Sequence, residues 1–105
     1  MSESEFVELA DATLSDIERA VDAVDVDIET SRAGNVLTLE LGDGSKIIVN
    51  SQAPMQQIWV AGKSGAFHYA RVGALWTDTR DGSELFAALS RLISAQGSEA
   101  VVLKS

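Results

Sequence analysis

The chain reads as an α+β two-layer domain, with two helices packed on one face of a mainly antiparallel six-stranded sheet in the order helix, six strands, helix. Three observations predict it. Apolar residues recur at spacings of three and four near both ends of the chain, while the middle holds short β-branched runs. Those runs are joined by tight turn chemistry and not by crossover-length segments, which favours neighbouring antiparallel strands in a meander. The length of 105 residues, at 46% hydrophobic and 23% charged, bounds one ordinary globular domain over 1–105 with a modest core.

The first helix is predicted over 4–24, where Phe6, Leu9, Ala10, Thr13, Ile17, Val21 and Val24 form one stripe. Strands follow at 26–31, 36–41, 46–51, 57–63, 66–72 and 75–80. The links between them are turn formers: Ala33-Gly34-Asn35, Gly42-Asp43-Gly44, Ser64-Gly65 and Val72-Gly73. Pro54 cannot donate to a ladder and marks the connection between the third and fourth strands. A second helix opens at Asp81 or Ser83, where Asp81-Gly82-Ser83-Glu84 has capping-box spacing. It runs through Leu85, Phe86, Leu89, Leu92 and Ile93 to a stop at Gly97. Residues 100–103 are apolar enough to dock, and the groove between the helices is their expected place. Both helices on one side leave the other sheet face open.

Composition narrows the chemistry. With no cysteine the chain has no disulfide, no thiol nucleophile and no thiolate ligands for zinc or an iron–sulfur cluster. The acidic start lacks an apolar signal region, and no run approaches the ~20 apolar residues that span a bilayer. The expected location is cytoplasmic. The net charge of −8 is unevenly placed, because residues 1–29 hold ten acids and one base while the rest hold six acids and seven bases. A field of that sign repels nucleic acid and anionic membrane, and attracts cations or a basic protein patch.

The carboxylates have a pattern of their own. At ~100° per residue, Glu8, Asp11, Glu18, Asp22 and Asp25 fall within roughly a 100° arc of the first helix, about 130° from the apolar stripe. One reading is an ordinary solvated face. Against it, only Arg19 is close enough in sequence to pair, and like-charge neighbours at three or four residues each cost about 0.2–0.5 kcal/mol. Asp22 and Asp25 also sit where the helix dipole disfavours anions. Carboxylates at this spacing can bridge a hard cation that keeps most of its water, with weak and unselective binding.

A second candidate surface lies on the open face. Alternation puts Ile58 and Val60 on one side of their strand and Gln57, Trp59 and Ala61 on the other. A tryptophan among amides on the wetter face marks a surface that a partner covers; the competing reading is an indole lying flat over exposed strands. Other signals fail. Asp25, Asp27 and Glu29 begin like a calcium loop, but Thr30 and Val36 stand where glycine and glutamate are needed. His68, the single histidine, reads as a strand residue bonded locally, and Trp76 reads as core. No glycine-rich run precedes a helix as a phosphate cradle requires.

The stretch from Asn50 to Ala61, written N-x-Q-x-P-x-x-Q-I-W-V-A, resembles the central signature of the frataxin family. Ser4-Glu5-Phe6, Leu9-Ala10-Asp11, the run Gly44 to Asn50, and Gly65-Ala66-Phe67-His68-Tyr69 extend the resemblance over essentially the whole chain. The resemblance implies the same α+β fold. It also implies an iron-binding accessory and regulator of iron–sulfur cluster assembly that docks on a cysteine desulfurase and its scaffold protein. On that basis the candidates for weakly held iron or other divalent cations are Glu8, Asp11, Glu18, Asp22, Asp25, Asp27 and Glu29. The candidates for partner binding are Asn50, Gln52, Gln57 and Trp59. Places where the family often has further acids or a histidine are held by Arg19, Ala23 and Val7, which implies weaker binding. No catalytic residue, no nucleic acid and no membrane is expected, and the metal-free state is expected to be monomeric. The alternatives are a ferroxidase or iron store built on the same acids, and an acidic adaptor indifferent to metal.

Overall fold

A helix that begins on Ser2-Glu3-Ser4-Glu5 has its cap written into it. In the computed structural model, which describes residues 1–97 and 100–104, helix α1 spans Glu3–Asp22. The Ser2 hydroxyl accepts from the Glu5 backbone N–H at 3.1 Å, and the Glu5 carboxylate accepts from the Ser2 N–H at 3.1 Å. This capping box starts the helix one residue before the predicted position. Phe6, Ala10, Thr13, Leu14, Ile17, Ala20 and Val21 are buried on its inner face, so the stripe is wider than expected by Leu14 and Ala20.

The six strands are β1 Ile28–Ala33, β2 Val36–Leu41, β3 Lys46–Gln52, β4 Gln57–Gly62, β5 Gly65–Val72 and β6 Leu75–Asp78. They pair in sequence order, every pair antiparallel, as the short turns require. Several strand boundaries move by one or two residues. The first strand starts at Ile28, because residues 24–26 form a bend after the helix. Asp27 therefore lies outside the ladder. Pro54 sits in a single 3-10 turn, Ala53–Met55, closed by Gln56 in the left-handed region at φ 50°. The sixth strand stops at Asp78 and not at Arg80, where the Asp78 carboxylate turns back to accept from the Arg80 N–H at 2.7 Å.

Helix α2 covers Leu85–Gly97. Its cap differs from the expected one. Asp81 instead closes a turn onto the Ser83 N–H, and the Glu84 carboxylate accepts from the N–H groups of Phe86 and Ala87. Both helices lie on one sheet face over a core that includes Phe6, Leu14, Ile17, Leu37, Leu39, Ile47, Val49, Ile58, Leu85, Leu89 and Ile93. The tail docks along α2: Val101 and Leu103 are buried, and their backbone bonds the hydroxyls of Ser94 and Ser90. Gln96 ties α2 to the sheet, accepting from the Lys63 N–H and donating to Ser45 Oγ and the Lys46 carbonyl.

Candidate functional site

The acidic flank is built by α1 and the segment that leads into β1. Its outer face presents Glu8, Asp11 and Asp22 to solvent, with Glu18 half-buried. Asp25 and Asp27 follow, both exposed, in the connection. Glu29 departs from the helix carboxylates and lines one shallow depression with Asp27 and Glu40. In register with Leu41, Leu39 and Leu37, it is Ile28, Thr30 and Arg32 that face the helices, so Glu29 points to the opposite side of the sheet, across from Glu40. The seven candidates therefore form no continuous stripe. Among the described residues no three His, Cys, Asp or Glu side chains converge as ligands for one ion. A cation held here would keep most of its water and touch one or two carboxylates at a time.

The second difference is the counter-charge. Arg19, the only base within the segment, pairs with Asp16. Arg32 was invisible to helical periodicity because it comes from the next element. It reaches from the edge strand to α1, pairing with Asp11 and with Glu18 at 3.3 Å and donating to the Ser15 hydroxyl at 3.2 Å. Its Nε donates to the Gly34 carbonyl at 3.0 Å. Glu8, Asp22, Asp25 and Asp27 have no ion pair among the described residues.

The open face gathers all four partner-binding candidates into one patch. Asn50 is the cross-strand neighbour of Trp59, and Gln52 of Gln57. The patch is tied together along each strand. Gln52 donates its amide to Asn50 Oδ1 at 2.6 Å, and the Trp59 indole N–H donates to Gln57 Oε1 at 2.8 Å. Each bond joins residues two apart, which alternation puts on the same face. Trp59 lies on the face expected of it, but it is half-buried, because His68 on β5 stacks on the indole at 4.4 Å between centroids and 11° between planes. His68 is thus held by an aromatic contact in place of the hydrogen bond expected of it. The signal was available: a hairpin pairing Gly62 with Gly65 places 59 opposite 68.

Trp76 is core, as read. It is 3% exposed, packs edge-on against Phe6 at 5.9 Å, and donates its N–H to Thr13 Oγ1 at 2.9 Å. A cavity of about 140 Å³ lies nearby, between β5 and α2, lined by Tyr69, Asp78 and Arg91 among others. Burial, with the Asp78 charge beside it, pushes the Tyr69 phenol up to about 12. Hydrogen bonds from Ser2 hold the Glu5 carboxyl below its usual range, and bonds from Ser45 and Ser83 do the same for Asp43 and Asp81. These groups mark caps and turns, and none belongs to the acidic flank.

Comparison with known proteins agrees with the fold. The family model for the frataxin-like domain matches residues 1–99. The iron–sulfur cluster assembly protein CyaY of Janthinobacterium sp. (strain Marseille) is 57% identical over 109 aligned positions, covering 99% of this chain and 97% of that protein. CyaY of Ralstonia nicotianae is also 57% identical, covering 98% of this chain and 95% of its own. Among solved structures, a frataxin from Psychromonas ingrahamii superposes with a TM-score of 0.92 at 34% identity, covering 100% of both chains. A trimeric yeast frataxin complexed with ferrous ion has a TM-score of 0.68 at 25% identity, covering 94% of this chain and 88% of that one.

Proposed function

The chain belongs to the frataxin family, and from that premise we propose that it is an iron-binding accessory and regulator of iron–sulfur cluster assembly. The observation that carries the reading is the separation of two surfaces on one small fold. An acidic flank with unpaired carboxylates lies along α1, and a neutral patch of amides and aromatic rings lies on the bare sheet face. The first suits long-range attraction of cations and of a basic partner. The second suits a short-range, desolvated anchor.

Iron enters this account as cargo. Carboxylates on a convex helix hold a hydrated ion by charge, which makes binding weak, multiple and sensitive to salt. The same field speeds encounter with a basic patch on the cysteine desulfurase or its scaffold, a contribution seen mainly in the association rate. The open patch then sets the lifetime of the complex. Trp59 offers a large rigid surface already ordered by Gln57 and His68, so little conformational entropy is lost when a partner covers it. The role is non-catalytic in this reading, because nothing on the flank is enclosed or arranged as a general base with a partner. Location in the cytoplasm accompanies that role.

The test is kinetic. Against purified cysteine desulfurase and scaffold, replacing Asp22 and Asp25 by Asn should slow association at low salt and leave dissociation nearly unchanged. Trp59→Ala should do the reverse. If neither surface alters either rate, the docking reading is wrong. Anaerobic and aerobic Fe²⁺ titrations separate cargo from catalysis: turnover lost through one carboxylate at unchanged affinity would make the protein a ferroxidase.

A further inference from the structure

We propose that Arg32 is a tethered counter-cation which sets how strongly divalent ions bind the acidic flank, an inference that rests on the cation-binding reading above. Helical periodicity presents the flank as uncompensated. The fold delivers a permanent positive charge to its centre from a different element.

The geometry is specific. Arg32 sits on the edge strand β1 on the side that faces α1, opposite buried Leu37. Its side chain is only 19% exposed. One guanidinium serves four acceptors on two segments, namely Asp11, Ser15, Glu18 and the Gly34 carbonyl. Two of the four are neutral. Ser15 and Gly34 therefore continue to hold the guanidinium at the flank when a carboxylate turns toward an ion. A divalent cation approaching Asp11 or Glu18 must either displace Arg32 or bind beside it. Repulsion scales with the product of the charges, so Arg32 opposes a divalent ion twice as strongly as a monovalent one at equal distance.

Two consequences follow. Ions load first toward the C-terminal end of the flank, where Asp22, Asp25 and Asp27 have no ion pair among the described residues. Removing the charge of Arg32 should tighten binding. A gain of affinity is a result that a purely structural role for Arg32, as a strap between β1 and α1, does not produce.

The experiment titrates the full chain with Mn²⁺, using amide line broadening for position and calorimetry for affinity, and compares wild type with Arg32→Gln and Arg32→Lys. In wild type, broadening should centre on residues 22–27. Arg32→Gln should bind on the order of tenfold tighter, with broadening spreading to residues 11–18. Arg32→Lys, which keeps the charge, should stay near wild type. Equal or weaker binding by Arg32→Gln overturns the proposal and leaves the cation-binding reading standing. Absence of saturable binding in every protein overturns both. Should Arg32→Gln fold poorly, the wild-type map still decides, since broadening centred on residues 11–18 refutes the proposal.

Discussion

Trp76 and Trp59 stand on opposite faces of one sheet, and each indole N–H is hydrogen-bonded, yet to partners of different kinds. Trp76 donates to Thr13, 63 residues away on α1, inside a core contact with Phe6. Trp59 donates to Gln57, two residues away on its own strand. For Trp76, polar satisfaction is non-local and comes only with folding. For Trp59 it is local, so amides and rings around it can exchange partners without disturbing the core. That is the physical difference between a face that holds the protein together and a face that can be given to another molecule.

The largest test removes each ring. Trp76→Ala should lower stability by about 3–5 kcal/mol in urea unfolding, and Trp59→Ala by less than about 1 kcal/mol. Equal losses would break the comparison. The next concerns neighbours on β5 that point to opposite faces, Tyr69 inward and His68 outward. Tyr69 rises from 10 in the unfolded chain to about 12 when folded, so its contribution is complete below pH 10 and is lost as pH climbs through about 12. The loss should be on the order of 3 kcal/mol, with tyrosinate absorbance in the folded protein delayed beyond that of the unfolded chain.

A smaller effect belongs to the cap of α1, which lies on neither face. Ser2→Ala should cost about 1 kcal/mol in the same unfolding assay. Because Glu5 is depressed below 4.5 by its bonds to Ser2, its contribution is present above that pH and fades as pH falls through the folded value. The variant should therefore show a flatter acid limb. The smallest effect sharpens the account of the open face. His68→Ala should change stability by no more than roughly 0.5–1 kcal/mol, while unstacking Trp59 and altering its fluorescence. A large loss of stability would show that the stack supports the fold.

Much of this was legible because it is local. The helical stripe through Phe6, Ala10 and Ile17, the alternation of Leu37, Leu39 and Leu41, and the turn formers at Gly34, Gly44 and Gly73 each encode their element within a few residues. The open patch was legible in part: alternation groups Gln57 with Trp59, the frataxin resemblance named Asn50 and Gln52, and the strand register joins the two pairs. The acidic flank was legible only in part, as an arc of the first helix. Its seven carboxylates could be counted, but a helical wheel covers one element and cannot say that Glu29 turns to the other sheet face.

The amino-acid sequence by itself determined the element order, the antiparallel meander, the charge of the N-terminal segment and the side of its strand on which Trp59 lies. Periodicity and turn chemistry act over one to four residues, and the tertiary contacts agree with them at these elements. Only the tertiary structure decided that Arg32 lies within the acidic flank, that His68 covers Trp59, and that Thr13 satisfies Trp76. Each of those contacts joins two elements whose relative placement follows from sheet register and helix docking. Side-chain chemistry fixed what these residues can do, and packing chose the partners with which they do it.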